Sequence, residues 1–533
     1  MVDENIVSAI RNRYPHVNIF DFDNDELLIY DAKPNFAFLL SNKHLDLLFN
    51  YLINNIDKSN VKDDESIHIL SLIEKLKERG VFSPGPLDEL CADDDASINK
   101  KVEYFLENIL MRKFVLEVTE NCNMRCKYCF NSNESNFRHH RSVNMSLETA
   151  KKAIDYYCEI YLKVFKKLSK ENQAVIIEEY PPFIGFYGGE PSLNISLIKQ
   201  ATEYFKQKKW EGTDIDSSLV GVTMNTNLFN LNEDELKYWT SNNVTLYVSL
   251  DGTKKDHDKN RVDINGKGTF DRVYSNLLRI KEYDPQYFKE RVYILAVDAD
   301  SNDTESNRSF LKSLGCEFSL IQQAYYGCII NDAKDRVAFI ESNIDNLISQ
   351  RLKTISDCRD DSYILEFEDL FNLDGIVTDD PYSTNRQNRW LNCPMGIDNI
   401  MIGVDGALHI CHKTDGSMSF GNINQGIDKN LLSELYKKYA VSINNIHCRS
   451  CWAHNFCSFC AALRMKDGEF IVPGHDECEF MRSTIKLSFK TFIQLYNKYP
   501  NELKQIFDQK KNIKRYKTIV SVDKFNNYGN QEN

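Results

Sequence analysis

The stretch "TENCNMRCKYCF", residues 119–130, places Cys122, Cys126 and Cys129 within eight residues, with three residues in the first gap and two in the second. Directly before them, "KFVLEVTE" (113–120) reads as a β-strand, so the cysteines sit just past its carboxyl end. Working outward, "PFIGFY" (182–187), "LVGVTMN" (219–225), "VTLYVSL" (244–250), "RVYILAV" (291–297) and "EFSLI" (317–321) read as five further strands. Helical patterns separate them, the first being "SLETAKKAIDYYCEIYLKVFKKL" (146–168) with Ser146 as its cap. Repeated βα units imply a parallel sheet with right-handed crossovers, open or closed, and a ligand site at the carboxyl ends of the strands.

The chain has 533 residues, a formal net charge of -13 and a pI near 5.5. That balance offers no general footprint for nucleic acid or an anionic membrane. The start, "MVDENIVSAIRNRYP", lacks the apolar core of a signal peptide, and no run of 18 apolar residues appears. A cytoplasmic, reducing location is expected. There, 15 cysteines point to metal or redox chemistry rather than disulfides. Ten fall into two groups; Cys91, Cys158, Cys316, Cys328 and Cys358 are scattered and read as inert core residues.

Before the βα units, "DELLIYDAKPNFAFLL" (25–40) reads as a β-hairpin turning at "AKPN". "KHLDLLFNYLINN" (43–55) and "ESIHILSLIEKLKERGVF" (65–82) show helical spacing, with Gly80 as a C-cap. "SPGPLDELCADDDASINK" (83–100) reads as a linker. Residues 325–390 read as a mainly helical bridge, and "STIKLSFKTFIQLYNKYPNELKQIFD" (483–508) as an amphipathic helix or helical pair.

Three thiolates can hold three irons of a cubane 4Fe–4S cluster and leave the fourth iron open to a non-protein ligand. The alternative is a structural zinc completed by a distant residue. The second group, Cys393, Cys411, Cys448, Cys451, Cys457, Cys460 and Cys478, puts seven cysteines into 86 residues, too many for one zinc. A zinc ribbon over Cys448–Cys460 is the competing reading.

"CNMRCKYC" resembles the signature of radical S-adenosylmethionine (SAM) enzymes, and Tyr128 matches the aromatic position before the last cysteine. The resemblance implies a partial (β/α)6 barrel in which SAM chelates the open iron and yields a 5′-deoxyadenosyl radical. It also implies SAM contacts at later strand ends. In "FYGGEP", Gly188 and Gly189 let backbone approach a ligand closely, and Glu190 accepts a hydrogen bond from the methionine ammonium. Asn225 and Ser249, the latter with Asp251 in the following turn, reach the ribose and carboxylate. Arg261 pairs with the methionine carboxylate, while His257 reads as structural or capping. The second cysteine group resembles the SPASM extension with its two auxiliary 4Fe–4S clusters. Two residues separate Cys457 from Cys460 where the family has three between them. The family's split arrangement implies a closed cluster on Cys448, Cys451, Cys457 and Cys478, which leaves Cys393, Cys411 and Cys460 for the other. With no cysteine between Cys393 and Cys411, an open iron is expected there, the alternative being closure by Cys358, Cys328 or His412.

"FRHHRSVNMSLETAKKAIDYY" (137–157) and "RIKEYDPQYFKERV" (279–292) are similar to peptide-modifying radical SAM/SPASM maturases of the ranthipeptide and sactipeptide type. These join a cysteine sulfur to a carbon of a ribosomally made peptide. The implied fold is α/β: a partial (β/α)6 radical SAM barrel with an N-terminal winged-helix-like peptide-recognition domain and a C-terminal SPASM iron–sulfur domain. The expected divisions are a leader-recognition domain (1–85), a linker (86–111), the barrel (112–322), a helical bridge (323–390), the SPASM domain (391–480) and a helical tail (481–533). The leader would add as a strand to a sheet edge within Glu26 to Leu40. The implied cofactors are SAM and three 4Fe–4S clusters. The implied partners are a leader-bearing precursor peptide and an electron donor, either a reductase or a flavodoxin or ferredoxin. Carbon–carbon crosslinking and formylglycine formation are alternative outcomes of the same machinery. An iron–sulfur electron carrier is the non-enzymatic alternative; "FYGGEP" argues against it, because a carrier has no use for a SAM pocket.

Overall fold

The computed structural model describes residues 4–87, 95–129, 131, 139–297, 304–321, 342, 349, 395–457 and 465–498, apart from isolated positions within those spans. The bridge expected over 323–390 and the tail beyond Lys498 therefore lie outside the described residues, as do Cys393 and Cys460.

The N-terminal block runs helix Glu4–Arg13, strands β1 (Val17–Asp23), β2 (Glu26–Asp31) and β3 (Phe36–Ser41), then helices Leu45–Leu52 and Asp64–Glu78. The expected hairpin is β2–β3, antiparallel, with Asp31 opposite Phe36. The sequence reading missed β1, which pairs antiparallel with the other side of β2. Val17, Ile19, Leu27, Ile29 and Leu40 pack with Leu45, Leu48, Leu70 and Ile73 of the two helices, giving this block its own core. Asp63 caps the last helix by accepting a hydrogen bond from the Ser66 amide at 2.8 Å.

The main sheet has ten strands in the order β13-β12-β11-β10-β4-β5-β6-β7-β8-β9. β4 (Lys113–Thr119), β5 (Phe183–Gly188), β6 (Gly221–Thr226), β7 (Thr245–Ser249), β8 (Val292–Val297) and β9 (Glu317–Ile321) are the six expected βα strands, all parallel. The connecting helices are capped by side chains, the first by Ser146 as expected. Ser146 accepts from the Thr149 amide, and Asn232 and Glu235 form a reciprocal capping box. Tyr157, Phe186, Phe205 and Trp239 are among the large side chains fully buried between helices and sheet.

The cysteine-rich segment continues this sheet instead of forming a separate one. β10 (Asn399–Ile402) pairs parallel with β4, and β11 (Ala407–His409), β12 (Ser419–Asn422) and β13 (Gly426–Ile427) follow antiparallel. A short hairpin, β14 (Met465–Lys466) and β15 (Glu469–Phe470), precedes one continuous helix, His475–Lys498. The stretch read as a linker also differs: helix Asp95–Asn108 begins inside it and buries Ile98, Val102 and Phe105 in the main core.

Arg112 joins β4 to β10. Its guanidinium donates to the Asp398 carboxylate at 2.7 Å, and the amides of Arg112 and Lys113 both donate to the Asp398 carbonyl. Burial raises the Asp398 pKa, and Arg112 opposes that shift. Removing one partner of such a pair leaves an uncompensated buried charge. Arg112→Met should therefore cost roughly 3–5 kcal/mol in thermal or urea unfolding, and adding Asp398→Leu should recover most of it.

Candidate functional site

Beyond β4 the cysteine loop is fastened on two sides. On one, the amides of Gly189 and Glu190 donate to the carbonyls of Thr119 (2.9 Å) and Asn121 (2.7 Å). On the other, the amides of Arg125 and Lys127 donate to the carbonyls of Val262 (2.8 Å) and Asn260 (2.9 Å). The first contact explains the two glycines. A Cβ at Gly188, where φ is +148°, would stand 2.1 Å from the Thr119 carbonyl oxygen, and one at Gly189 would stand 2.2 Å from that of Asn121. The close approach is to the cysteine loop, whereas the sequence reading assigned it to a ligand.

Glu190 is buried at the end of β5. One carboxylate oxygen accepts from the Thr226 hydroxyl (2.7 Å) and the Ser192 amide (3.1 Å), and the other accepts from the Asn227 amide (2.7 Å). Burial raises its pKa, and these donors pull it back. A carboxylate has about four acceptor positions, so three are filled and one stays available to a bound ammonium. Asn227 then extends the network toward the sulfur. Its Nδ2 donates to Asn123 Oδ1 at 2.7 Å and lies 3.8 Å from Cys122 Sγ. Asn123 Nδ2 is buried and has no hydrogen-bond partner among the described residues, so it is a donor suited to an acceptor on a bound molecule.

Arg261 has a partner within the chain. Its Nε donates to Asp251 at 2.9 Å, its guanidinium lies over the Tyr128 ring at 5.3 Å, and Nη1 stands 4.0 Å from Cys126 Sγ. The same Asp251 oxygen accepts from the Tyr128 hydroxyl, and the other accepts from the Val297 amide at 2.9 Å. A methionine carboxylate could therefore be met only by the terminal nitrogens of Arg261. His257 is structural, as expected. It is fully buried, with Nδ1 accepting from the Asp251 amide (3.3 Å) and Nε2 facing the Thr269 hydroxyl (3.0 Å). Asn225 and Ser249 sit half-buried near the ends of β6 and β7, opposite Tyr247 and Leu295 respectively.

Burial pushes the Cys122 and Cys126 thiols up to about 12, with Glu190 adding to the effect at Cys122 and Arg261 opposing it at Cys126. Cys122 also responds to the charges of Cys126 and Cys129, so the three sulfurs stand together. The structure likewise gathers four cysteines of the second group. Cys478, pushed up to about 11 by burial, responds to Cys457, Cys451 and Cys448. Asn445 Nδ2 donates to Cys448 Sγ at 3.1 Å, and Arg482 reaches Cys451 Sγ at 3.9 Å. Cys411 lies beside Asn399 (3.8 Å) and next to His412, whose ring meets that of Tyr187 on β5 at 4.8 Å.

Among the described residues, no three His, Cys, Asp or Glu side chains are drawn together tightly enough for a single metal ion. A tetrahedral zinc with Zn–S bonds of about 2.3 Å would hold its sulfurs roughly 3.8 Å apart. A cubane puts each thiolate on a different iron, so its ligands are spread more widely. Gathered thiols with N–H donors aimed at their sulfurs fit a cluster. The sequence reading missed Asn123, Asn227, Asn445 and Arg482, which supply or relay those donors. The available signal was position: Asn227 and Asn445 each sit at a turn or cap, where a side-chain amide has no ladder partner.

Residues 116–288 match the family model of the Radical SAM superfamily. The chain carries a radical SAM domain. Such a domain binds SAM and a 4Fe–4S cluster, and the loop of Cys122, Cys126 and Cys129 is where this chain gathers three thiols inside the matched span. A cysteine-type anaerobic sulfatase-maturating enzyme of Clostridium novyi is 31% identical over 172 residues, which span 32% of this chain but only 40% of that protein. The radical SAM cyclopropyl synthase TigE of Paramaledivibacter caminithermalis is 23% identical over 392 residues, 70% of this chain and 72% of that one. Among solved structures, native anSMEcpe with bound AdoMet shares the fold at a TM-score of 0.51 and 17% identity, covering 72% of this chain and 99% of that one. No helix among the described residues is long and apolar enough to cross a membrane.

Two outcomes test the packing around this domain. Gly189→Ala should prevent the cysteine loop from closing on β5, seen as loss of iron uptake on reconstitution together with a lowered melting temperature. His257 has a pKa pushed down to about 3 from 6.5, by burial first and then by Arg261. The unfolded chain binds the proton that the folded chain refuses, so the contribution of His257 is complete above pH 6.5. It is lost as pH falls toward 3, at about 1.4 kcal/mol per pH unit. His257→Asn should flatten that part of a stability–pH profile.

Proposed function

We propose that this chain is a radical SAM maturase that joins a cysteine sulfur to a carbon within a ribosomally made precursor peptide. The observation that carries the reading is the juxtaposition of two gathered cysteine sites on one extended sheet: the loop beyond β4, and the segment that β10 attaches to the other edge of β4. The length of the match to TigE, 392 residues and 70% of this chain, supports it. Cys122, Cys126 and Cys129 would hold the SAM cluster. Cys448, Cys451, Cys457 and Cys478 would hold a closed auxiliary cluster, and Cys393, Cys411 and Cys460 a second one with an open iron.

When bound, SAM and the clusters supply a carbon-centred radical oxidant and an electron acceptor. The residues of the chain hold these groups and the peptide in register and keep water out. Glu190 offers its remaining acceptor position to the methionine ammonium, and Asn123 Nδ2 offers a donor. Tyr128, Asn225 and Ser249 would line the site, and the terminal nitrogens of Arg261 would meet the carboxylate. Forming the C–S bond removes one hydrogen atom from carbon, and one proton and one electron from sulfur. The product is thus lighter than the precursor by two hydrogens per bridge. A flavodoxin, ferredoxin or reductase would supply the starting electron.

The leader of the precursor would add to β3, the edge strand of the N-terminal sheet, where Leu39 is exposed. A second reading rests on the 31% identity to the sulfatase-maturating enzyme: oxidation of a cysteine to formylglycine in a protein substrate.

Anaerobic reconstitution should give about 12 irons per chain for three cubanes, and about four if only the first site is filled. Incubation with SAM and dithionite should release 5′-deoxyadenosine; its absence would reduce the chain to an electron carrier. Co-expression with a cysteine-rich peptide encoded nearby should give products lighter by two hydrogens per bridge. A hydrazide-reactive aldehyde in place of that product would establish the formylglycine reading. A free leader peptide should inhibit processing of the full precursor in competition.

A further inference from the structure

The N-terminal sheet is covered on both faces, by different parts of the chain. Pairing in register sorts its side chains. Ile19 and Ile29 lie on the face that packs against the helices of the block. Phe20, Leu28 and Tyr30 lie on the other face, and all three are buried as well. Their cover comes from more than 400 residues away in sequence, from the two segments that carry the four gathered cysteines.

The first is "WAHNF", residues 452–456, the loop between Cys451 and Cys457. Trp452 meets Phe20 edge-on at 5.2 Å, and Phe456 meets Tyr30 at 5.3 Å. Between them, Asn455 Nδ2 donates to the Tyr30 hydroxyl (2.9 Å) and to the Ala32 carbonyl (2.8 Å). The second is the helix that begins at His475. Phe489 stacks on Phe20 at 5.3 Å and touches Tyr30 and Phe456 at 5.2 Å. At about 100° per residue, Phe489 lies eleven residues and just over three full turns beyond Cys478, so the two share a helix face. A third tie lies next to Cys448. The Arg449 Nε donates to the Leu87 carbonyl (2.9 Å), and the Leu87 amide returns a bond to the Arg449 carbonyl (2.8 Å). The 452–456 loop and the helix after Cys478 are therefore pinned to the N-terminal block, and the stretch at Cys448 to the segment that follows it.

We propose that the N-terminal sheet is a structural wall of the four-cysteine site: Phe20, Tyr30 and Ala32 hold the 452–456 loop and the helix after Cys478 in the arrangement that lets Cys448, Cys451, Cys457 and Cys478 share one cluster. This rests on the reading that these four hold a cluster. The sheet is then a fixed mount, and a peptide added to β3 is held at a set distance from the four-cysteine centre. Leu39 marks where the cover ends: its β2 partner Leu28 is buried on the same face, while Leu39 itself, on the outer strand, is 46% exposed.

The test uses the full-length, reconstituted protein and an iron chelator. Asn455→Ala removes the two central hydrogen bonds with little loss of volume, and Phe20→Ala opens the aromatic contact. Both should release about four irons per chain to the chelator at least tenfold faster than wild type. SAM cleavage without peptide should persist, reporting an intact first site. Cys457→Ala measures the iron that belongs to the four-cysteine site. If Cys457→Ala leaves iron content unchanged, the cluster reading fails and the proposal fails with it. If Cys457→Ala removes about four irons while Asn455→Ala and Phe20→Ala release iron at the wild-type rate, the wall is overturned and the cluster reading stands. Asn455→Ala, the milder change, decides the matter if Phe20→Ala does not fold.

Discussion

The turn after β5 lies against the carbonyls of Thr119 and Asn121 with no room for a Cβ at Gly188 or Gly189. That approach joins two neighbouring strand ends into one surface. It carries the Gly189 and Glu190 amides onto the cysteine loop and sets the Glu190 carboxylate beneath Thr226 and Asn227. Asn227 then reaches Asn123 and Cys122, so contacts from β4, β5 and β6 converge on one sulfur. Any side chain at these glycines would force the strands apart at the point where the site is assembled.

Charge is handled within the chain before any ligand arrives. Asp251 and Arg261 are both buried and neutralise each other, with Tyr128 and the Val297 amide filling two further acceptor positions of Asp251. Buried thiols resist ionisation, and Arg261 beside Cys126 and Arg482 beside Cys451 offset part of that resistance. Each site thus combines one arginine with an asparagine, Asn227 in the first and Asn445 in the second. Donors of this kind stabilise electron-rich sulfur.

The six βα strands were legible because apolar runs of five or six residues recur between amphipathic helices, and such runs need few distant contacts to be recognised. The cysteine spacing was legible for a similar reason, being local. What sequence reading missed depends on distance. β10 to β13 are only two to four residues long; β10 pairs with β4, nearly 300 residues earlier, and the other three build outward from β10. Helix Asp95–Asn108 was hidden behind Pro, Gly and an acidic run that suggested a linker. β1 went unread because "VNIFDFD" mixes apolar residues on both faces, which alternation does not capture. The continuous "LLIY" of β2 carried a signal in hindsight: a strand buried on one side only would alternate, and this one is covered on two. The partner of Arg261 is likewise a matter of which side chains meet in three dimensions.

The attachment of β10 to the outer edge of β4 has a consequence for the order of assembly. β4 is the first of the six parallel βα strands to leave the ribosome, yet its outer edge stays unpaired until residues 399–402 have been made. During that interval an apolar parallel-type edge lies open, a template for pairing with the wrong chain. The Arg112–Asp398 bond can form only when that edge closes. Closing the edge also brings the segment with the second set of cysteines against the parallel strands, so completion of the sheet and the meeting of the two cysteine groups become a single late event in the life of the nascent chain.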